Sequence, residues 1–107
     1  MTVAAIAGDV DFETAGPLLA ALRPAVPNRA LGLVLDLRRT DFLDSAGVGV
    51  LFEMVRRLER REQQLHIVVE PESLVADLLD EVGFAGHAPV HTELAEAIGE
   101  LHALERG

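Results

Sequence analysis

Apolar, strand-like runs alternate with amphipathic segments along the chain. This predicts an α/β sandwich: a mostly parallel β-sheet of about four strands with about four helices packed against it. Three observations carry the prediction. Leu31 to Leu37 (Leu-Gly-Leu-Val-Leu-Asp-Leu) is apolar almost without alternation, as expected of a central strand covered on both faces. From Ala46 to about Gln63, Val48, Leu51, Val55 and Leu58 recur every three or four residues, the period of a helix with one buried face. Leu65 to Val69 (Leu-His-Ile-Val-Val) then returns to a strand-like run. Parallel neighbours joined by helices require right-handed crossovers.

The remaining elements follow in order. Thr2 to Ala7 reads as a strand ended by Gly8, after which Asp9-Val10-Asp11 leads to Thr14, the expected N-cap of a first helix. Pro17 falls in the first turn, where its missing N–H does little harm. Leu18, Leu19 and Leu22 form the buried stripe, and the helix stops near Pro24 or Pro27. Arg38 to Leu43 reads as a loop, with Phe42 and Leu43 turning inward. In the next helix Phe52 and Met54 widen the apolar stripe, and Arg56, Arg57, Glu59, Arg60, Arg61 and Glu62 mark the wet face, supported by short-range pairs to Glu53 and Glu59. Pro71 to Val82 is a third helix with Leu74, Val75, Leu78 and Leu79 inside and Gly83 as its stop. Ala88 to Val90 reads as a short edge strand, and Thr92 caps a last helix carrying Leu94, Ala95, Ile98 and Leu101. The end, Leu104 to Gly107, is the expendable part.

Composition bounds the function. With 107 residues, half of them apolar, the chain reads as one domain over residues 1–107, without linker or repeat. No run approaches the roughly 18–20 apolar residues that span a bilayer, and no basic region precedes the apolar start as in a signal peptide. Cysteine is absent, which fits a cytoplasmic protein. A net charge of −9 disfavours nucleic acid, because phosphate binding needs a cationic surface. A protein partner is the better expectation.

The chemistry concentrates in Asp44-Ser45-Ala46-Gly47-Val48-Gly49, where a strand-like run gives way to a helix. Unpaired N–H groups and the positive end of the helix dipole meet there, so a negative charge added to Ser45 is tolerated best at this point. The competing reading is that Ser45 is simply the N-cap, since serine oxygen accepts from the first-turn backbone. Gly47 and Gly49 each cost about 1 kcal/mol relative to Ala in a helix interior, which makes sense where a partner backbone or a nucleotide phosphate comes close. Asp44, Asp11 and Asp9 form either an acidic rim around Ser45 or ordinary turn chemistry. Asp44 itself either binds Mg²⁺ delivered with ATP or orients the serine hydroxyl. Asp36, inside an apolar run, must be paired or lie at the strand's end. His87 and His91 stand four apart, but Pro89 between them argues against one helix presenting both, and without Cys or an HExxH pattern no metal site is expected. No Gly-x-Ser-x-Gly elbow surrounds Ser45, so the chain is not read as an enzyme.

These residues resemble the STAS domain family, the sulphate-transporter and anti-sigma-factor-antagonist domains. Gly8-Asp9-Val10-Asp11 is similar to the family's Gly-Glu-Leu-Asp after an early strand. Leu35-Asp36-Leu37 followed by Asp41 to Leu51 is similar to its hallmark strand, loop and helix start, and Leu78-Leu79 through Gly83-Phe84 to its later helix. The resemblance implies a small STAS-like sandwich and a bacterial anti-sigma factor antagonist that regulates transcription by partner switching, with no enzymatic activity and no cofactor. It implies that an anti-sigma factor serine kinase of the histidine-kinase-like ATPase fold docks on Asp11, Asp44, Ser45, Ala46, Gly47, Val48 and Gly49. That kinase would phosphorylate Ser45, and a PP2C-type phosphatase would reverse the modification. Two departures stand out. Ala46 occupies a position where the family usually has Ser or Thr, and only seven residues precede Gly8 where relatives have a further strand. Either the sheet lacks that edge strand or the chain begins late. The alternative within the family is a scaffold or accessory STAS domain, as in stressosome or lipid-transport complexes, with no phosphorylation cycle.

Overall fold

The computed structural model describes residues 2–104. Among them the strands are β1 (Thr2–Val10), β2 (Gly32–Leu43), β3 (Gln64–Val68) and β4 (Val90–His91). The α-helices are α1 (Ala15–Leu22), α2 (Ser45–Arg60), α3 (Leu74–Glu81) and α4 (Leu94–Leu104). All neighbouring strands pair parallel in the order β1-β2-β3-β4, so the expected α/β architecture holds. Glu105 to Gly107, most of the expected expendable end, lie outside the described residues.

The strand order dictates the layers. Right-handed crossovers that step across the sheet in one direction put every connecting helix on the same face. Accordingly Leu22 of α1, Leu51, Met54 and Leu58 of α2, and Val75 and Leu79 of α3 share one core with Leu33, Leu35, Leu37, Leu65 and Ile67. The alternate strand residues Val34 and Val68 point the other way and meet Ala97 and Leu101 of α4 in a small second cluster. α4 follows the last strand, is bound by no crossover rule, and covers the opposite face. Both faces of β2 are thereby buried from Gly32 to Leu35, as its unbroken apolar run predicts.

Several boundaries differ from expectation for identifiable reasons. Arg38 to Leu43 is strand, continuing β2 beyond the end of β3 and paired with Ala7 to Val10 of β1. Its polar residues are tolerated because only β1 flanks it there. Thr40 is nevertheless buried, and its hydroxyl donates to the Ile6 carbonyl at 2.7 Å. Gly8 does not end β1. It adopts φ 83°, open to glycine without strain, and the chain re-pairs with β2 after a register shift. Thr14 makes no side-chain cap for α1. Ser73, not recognised in the sequence, caps α3 by accepting from Ala76 N–H at 3.0 Å, so α3 starts at Leu74 rather than Pro71. Leu74, at the first helical position, is 72% exposed rather than inside. The last helix begins at Leu94, later than a Thr92 cap would set it, and buries Ala97 where Ala95 was expected. The last strand is Val90–His91, shifted from Ala88 to Val90.

On the face of α2 expected to be wet, Arg56 pairs with Glu53 at 2.8 Å. Arg61 does otherwise: it donates to the Val26 carbonyl and to Asn28 Oδ1, tying the α1–β2 connection to the end of α2. Buried Gln63 reinforces the tie with bonds to the carbonyls of Pro27 and Ala30, both 2.8 Å.

Asp36 is satisfied locally. Arg38 donates Nε to Oδ1 at 2.9 Å, a second guanidinium nitrogen to Oδ2 at 2.8 Å, and its backbone N–H to Oδ1 at 3.0 Å. The Arg38 side-chain bond holds the Asp36 carboxyl below its usual pKa, opposed by partial burial. A carboxyl whose folded pKa is depressed binds fewer protons than in the unfolded chain. Its contribution is therefore present above the unfolded value of about 3.9 and lost as pH falls toward the folded one. Urea denaturation between pH 7 and 3 should show stability falling more shallowly at the acid end in Asp36→Asn than in the parent.

Candidate functional site

Because β1 and β2 run parallel, the loops leaving their carboxyl ends lie side by side, where open α/β sheets commonly place binding sites. One is the turn from Asp11 to Thr14, and the other is the junction from Leu43 into α2. Asp44 joins them. Its backbone sits in the extended region at the N-cap position of α2, and its Oδ1 accepts from Gly47 N–H at 3.0 Å. Its Oδ2 accepts from Phe12 N–H at 2.9 Å, and its own N–H donates to the Val10 carbonyl at 3.2 Å. One carboxylate thus caps a helix and tethers the neighbouring loop.

This settles which residue caps α2. The cap is Asp44, so Ser45 is the first helical residue, exposed, with no hydrogen bond on its hydroxyl among the described residues. The backbone N–H groups of Ser45 and Ala46 have no acceptor among the described residues, whereas Gly47 is capped and Val48 N–H donates to the Asp44 carbonyl at 3.0 Å. An exposed hydroxyl therefore lies beside two free donors at a positive helix end. No hydrogen bond joins Ser45 to a histidine among the described residues.

Asp11 belongs to the same edge but has local work. Its Oδ1 accepts from the N–H groups of Glu13 and Thr14 at 2.9 and 3.1 Å, while Thr14 Oγ1 accepts from Asp11 N–H at 2.9 Å. This reciprocal turn starts α1 and explains why Thr14 does not cap it in the expected way. Asp9 is exposed on β1.

The two glycines have different reasons. A Cβ on Gly47 would stand 2.6 Å from the Val10 carbonyl oxygen, so glycine here lets α2 begin against the end of β1. This is internal packing and needs no partner. A Cβ on Gly49 would meet nothing within 4 Å. Gly49 instead floors a shallow groove of ≈ 440 Å³ between α1 and α2, shared with Gly16, Leu19, Ala46 and Glu53. Val48 is half-buried and packs against the core.

Phe12, unmarked in the sequence reading, stands at the rim of this site and is 84% exposed. The signal was present: an aromatic side chain between Asp11 and Glu13 has no use in turn chemistry. The histidines sort by strand and not by spacing, and no single helix presents His87 and His91 together, as Pro89 between them implies. His91 meets not His87 but His66 of β3, across the sheet, while His87 lies edge-on to Phe52.

A family model described as "Mlab, STAS domain" matches residues 2–97. The chain belongs to the STAS domain family. No curated protein matches it. Among solved structures, this STAS domain is similar to an anti-sigma factor antagonist from Mycobacterium paratuberculosis, with 23% identity over 94% of this chain and 84% of the other, at TM-score 0.82. A sulfate transporter family protein from Wolinella succinogenes superposes at TM-score 0.83 with 20% identity, covering 99% and 88% of the two chains. The anti-sigma factor antagonist SpoIIAA in its unphosphorylated form reaches TM-score 0.62 at 20% identity, covering 98% and 87%. At these identities the likeness is one of fold.

The two glycines of this STAS domain should respond oppositely to alanine. Gly49→Ala should stabilise the fold by about 0.5–1 kcal/mol, because a helix gains and nothing is displaced. Gly47→Ala should destabilise it by roughly 1–3 kcal/mol through the clash with the Val10 carbonyl. Chemical denaturation of the two variants beside the parent checks both signs.

Proposed function

We propose that this STAS domain is an anti-sigma factor antagonist working by partner switching, with Ser45 as its phosphoacceptor. The observation that carries the reading is the division of labour at the start of α2. Asp44 performs the capping, which leaves the Ser45 hydroxyl exposed and, among the described residues, without a hydrogen bond. A serine kept at that position for stability alone would be expected to make the cap bond itself. The unphosphorylated protein binds an anti-sigma factor serine kinase of the histidine-kinase-like ATPase fold and frees the sigma factor. Docking uses the edge formed by Asp11, Asp44, Ser45, Ala46, Gly47, Val48 and Gly49, with exposed Phe12 as an apolar anchor and the Gly49 groove as its seat. The kinase transfers phosphate from ATP to Ser45, and a PP2C-type phosphatase removes it. Kinase and ATP make the setting cytoplasmic.

Phosphorylation adds about −1.5 to −2 charges at neutral pH. Within the protein that charge meets the free N–H groups of Ser45 and Ala46 and the helix dipole, which accommodate it. In an interface the same charge adds bulk and desolvation cost beside the Asp44 and Asp11 carboxylates. The fold survives while the complex dissociates. Because both Asp44 oxygens already accept backbone N–H bonds, Asp44 acts here by shaping the site, ahead of binding Mg²⁺ or orienting the hydroxyl.

A second reading keeps some support. The matching family model carries the Mlab name, a sulfate transporter family STAS domain shares the fold, and Ala46 stands beside Ser45. On that reading the same edge is a constitutive docking face of a scaffold or accessory subunit.

Incubation with a candidate anti-sigma factor kinase and Mg·ATP, followed by intact mass measurement, separates the two. The wild type should gain a single phosphate and Ser45→Ala none. Ser45→Asp should lose kinase binding with its melting temperature nearly unchanged. Tight binding without modification would replace the switch by the scaffold reading, and absence of binding to any kinase of this class would remove the antagonist reading.

A further inference from the structure

On the face of the sheet opposite α2, three elements bring nitrogen and oxygen donors to one point. His66 lies in β3 and is 2% exposed, and His91 lies in β4 and is 9% exposed. Glu100 reaches them from α4 with a side chain 57% exposed. His66 Nδ1 and His91 Nε2 are 3.0 Å apart, and Glu100 Oε2 lies 3.4 Å from the first and 3.3 Å from the second. These three atoms form a nearly equilateral triangle. Donors bound at about 2.0–2.1 Å around a tetrahedral ion stand roughly 3.3 Å from one another, so the triangle has the dimensions of one tetrahedral face.

The surroundings set the protonation that a metal ligand needs. His66 Nε2 is 2.9 Å from Gln64 Oε1, and an amide oxygen only accepts, so Nε2 carries the ring proton and Nδ1 presents its lone pair. A carbonyl oxygen that accepts from the far nitrogen of a ligand imidazole, and so orients the ring, is the usual arrangement in metal sites. The His91 Nε2 proton then lies between two acceptors, His66 Nδ1 and Glu100 Oε2. The rings are within 6° of parallel with centroids 5.2 Å apart, so the nitrogens meet edge to edge. A cation can take the place of that single proton once His91 carries its proton on Nδ1 and the rings turn slightly to converge their lone pairs.

We propose that His66, His91 and Glu100 form a binding site for a divalent transition ion of the zinc class. Two imidazoles and one carboxylate suit zinc, and hard, all-oxygen ions such as Mg²⁺ are poorly served by such a set. The exposed flank of Glu100 leaves a fourth position for water or for a donor from outside. The ion joins α4 to β3 and β4. That is a tether with mechanical meaning, because α4 is otherwise held on this face by the small apolar cluster of Val34, Val68, Ala97 and Leu101.

The test uses the full chain, stripped of metal with chelator, titrated with Zn²⁺ by calorimetry and followed by thermal unfolding. Zinc at a hundredfold excess over its Kd should raise the melting temperature by on the order of 10 °C. Co²⁺ should give the visible absorption of a tetrahedral site. Glu100→Gln changes only an exposed ligand, and Gln64→Ala removes only the orienting carbonyl. Each should weaken zinc binding by about tenfold or more while leaving the circular dichroism spectrum unchanged. His91→Gln should abolish binding where it folds, and the other two variants decide the matter if it does not. No heat and no melting shift in the wild type would overturn the site. So would binding that is equally strong in Glu100→Gln and Gln64→Ala, since the ion would then sit elsewhere, for example at exposed His87 or His102.

Discussion

The Asp44 carboxylate is the joint on which the candidate site depends. One oxygen caps α2 through Gly47 N–H, the other holds the β1–α1 loop through Phe12 N–H, and the backbone N–H of the same residue closes onto Val10. A charged acceptor bonded to backbone N–H groups makes stronger bonds than a neutral one, and here both lie at the positive end of a sixteen-residue helix. The geometry requires Gly47, since any side chain there would strike the Val10 carbonyl. Ser45 is released from structural duty by its neighbour.

The separation matters for how a charge could regulate such a domain. If the serine were the cap, modifying it would unravel the first turn of α2 and disturb the core residues Val50, Leu51 and Met54 that follow. With the cap on Asp44, a charge at Ser45 alters the surface and leaves the helix anchored. Phe12 adds the other half of an interface: apolar area projecting from a loop whose backbone is already fixed, so little ordering entropy remains to be lost on binding.

The two faces of the sheet are unequal. Crossovers of one hand gather α1, α2 and α3 over the larger core, while α4 closes the other side with few apolar residues. On the thinly covered side a polar cluster, His66 with His91 and Glu100, takes up the space between strand and helix. Gln64 satisfies the remaining His66 nitrogen, so the buried ring leaves no polar atom without a partner.

Sequence alone determined what periodicity and local chemistry can encode. The unbroken run Leu31 to Leu37, the helical stripe through Leu51, Val55 and Leu58, and the stop at Gly83 specified a parallel α/β sandwich and a helix start within one residue of its place. Tertiary structure decided whatever depends on neighbours from elsewhere in the chain. Arg38 to Leu43 looked like a loop because its polar residues hide a strand that only β1 completes. Asp44 took the cap from Ser45 because a second donor, Phe12 N–H, comes from thirty-two residues away. His91 found His66 rather than His87 because β3 and β4 lie side by side, and sequence spacing is blind to that adjacency. Local patterns fix local conformation, but the pairing of polar groups is a property of the folded sheet.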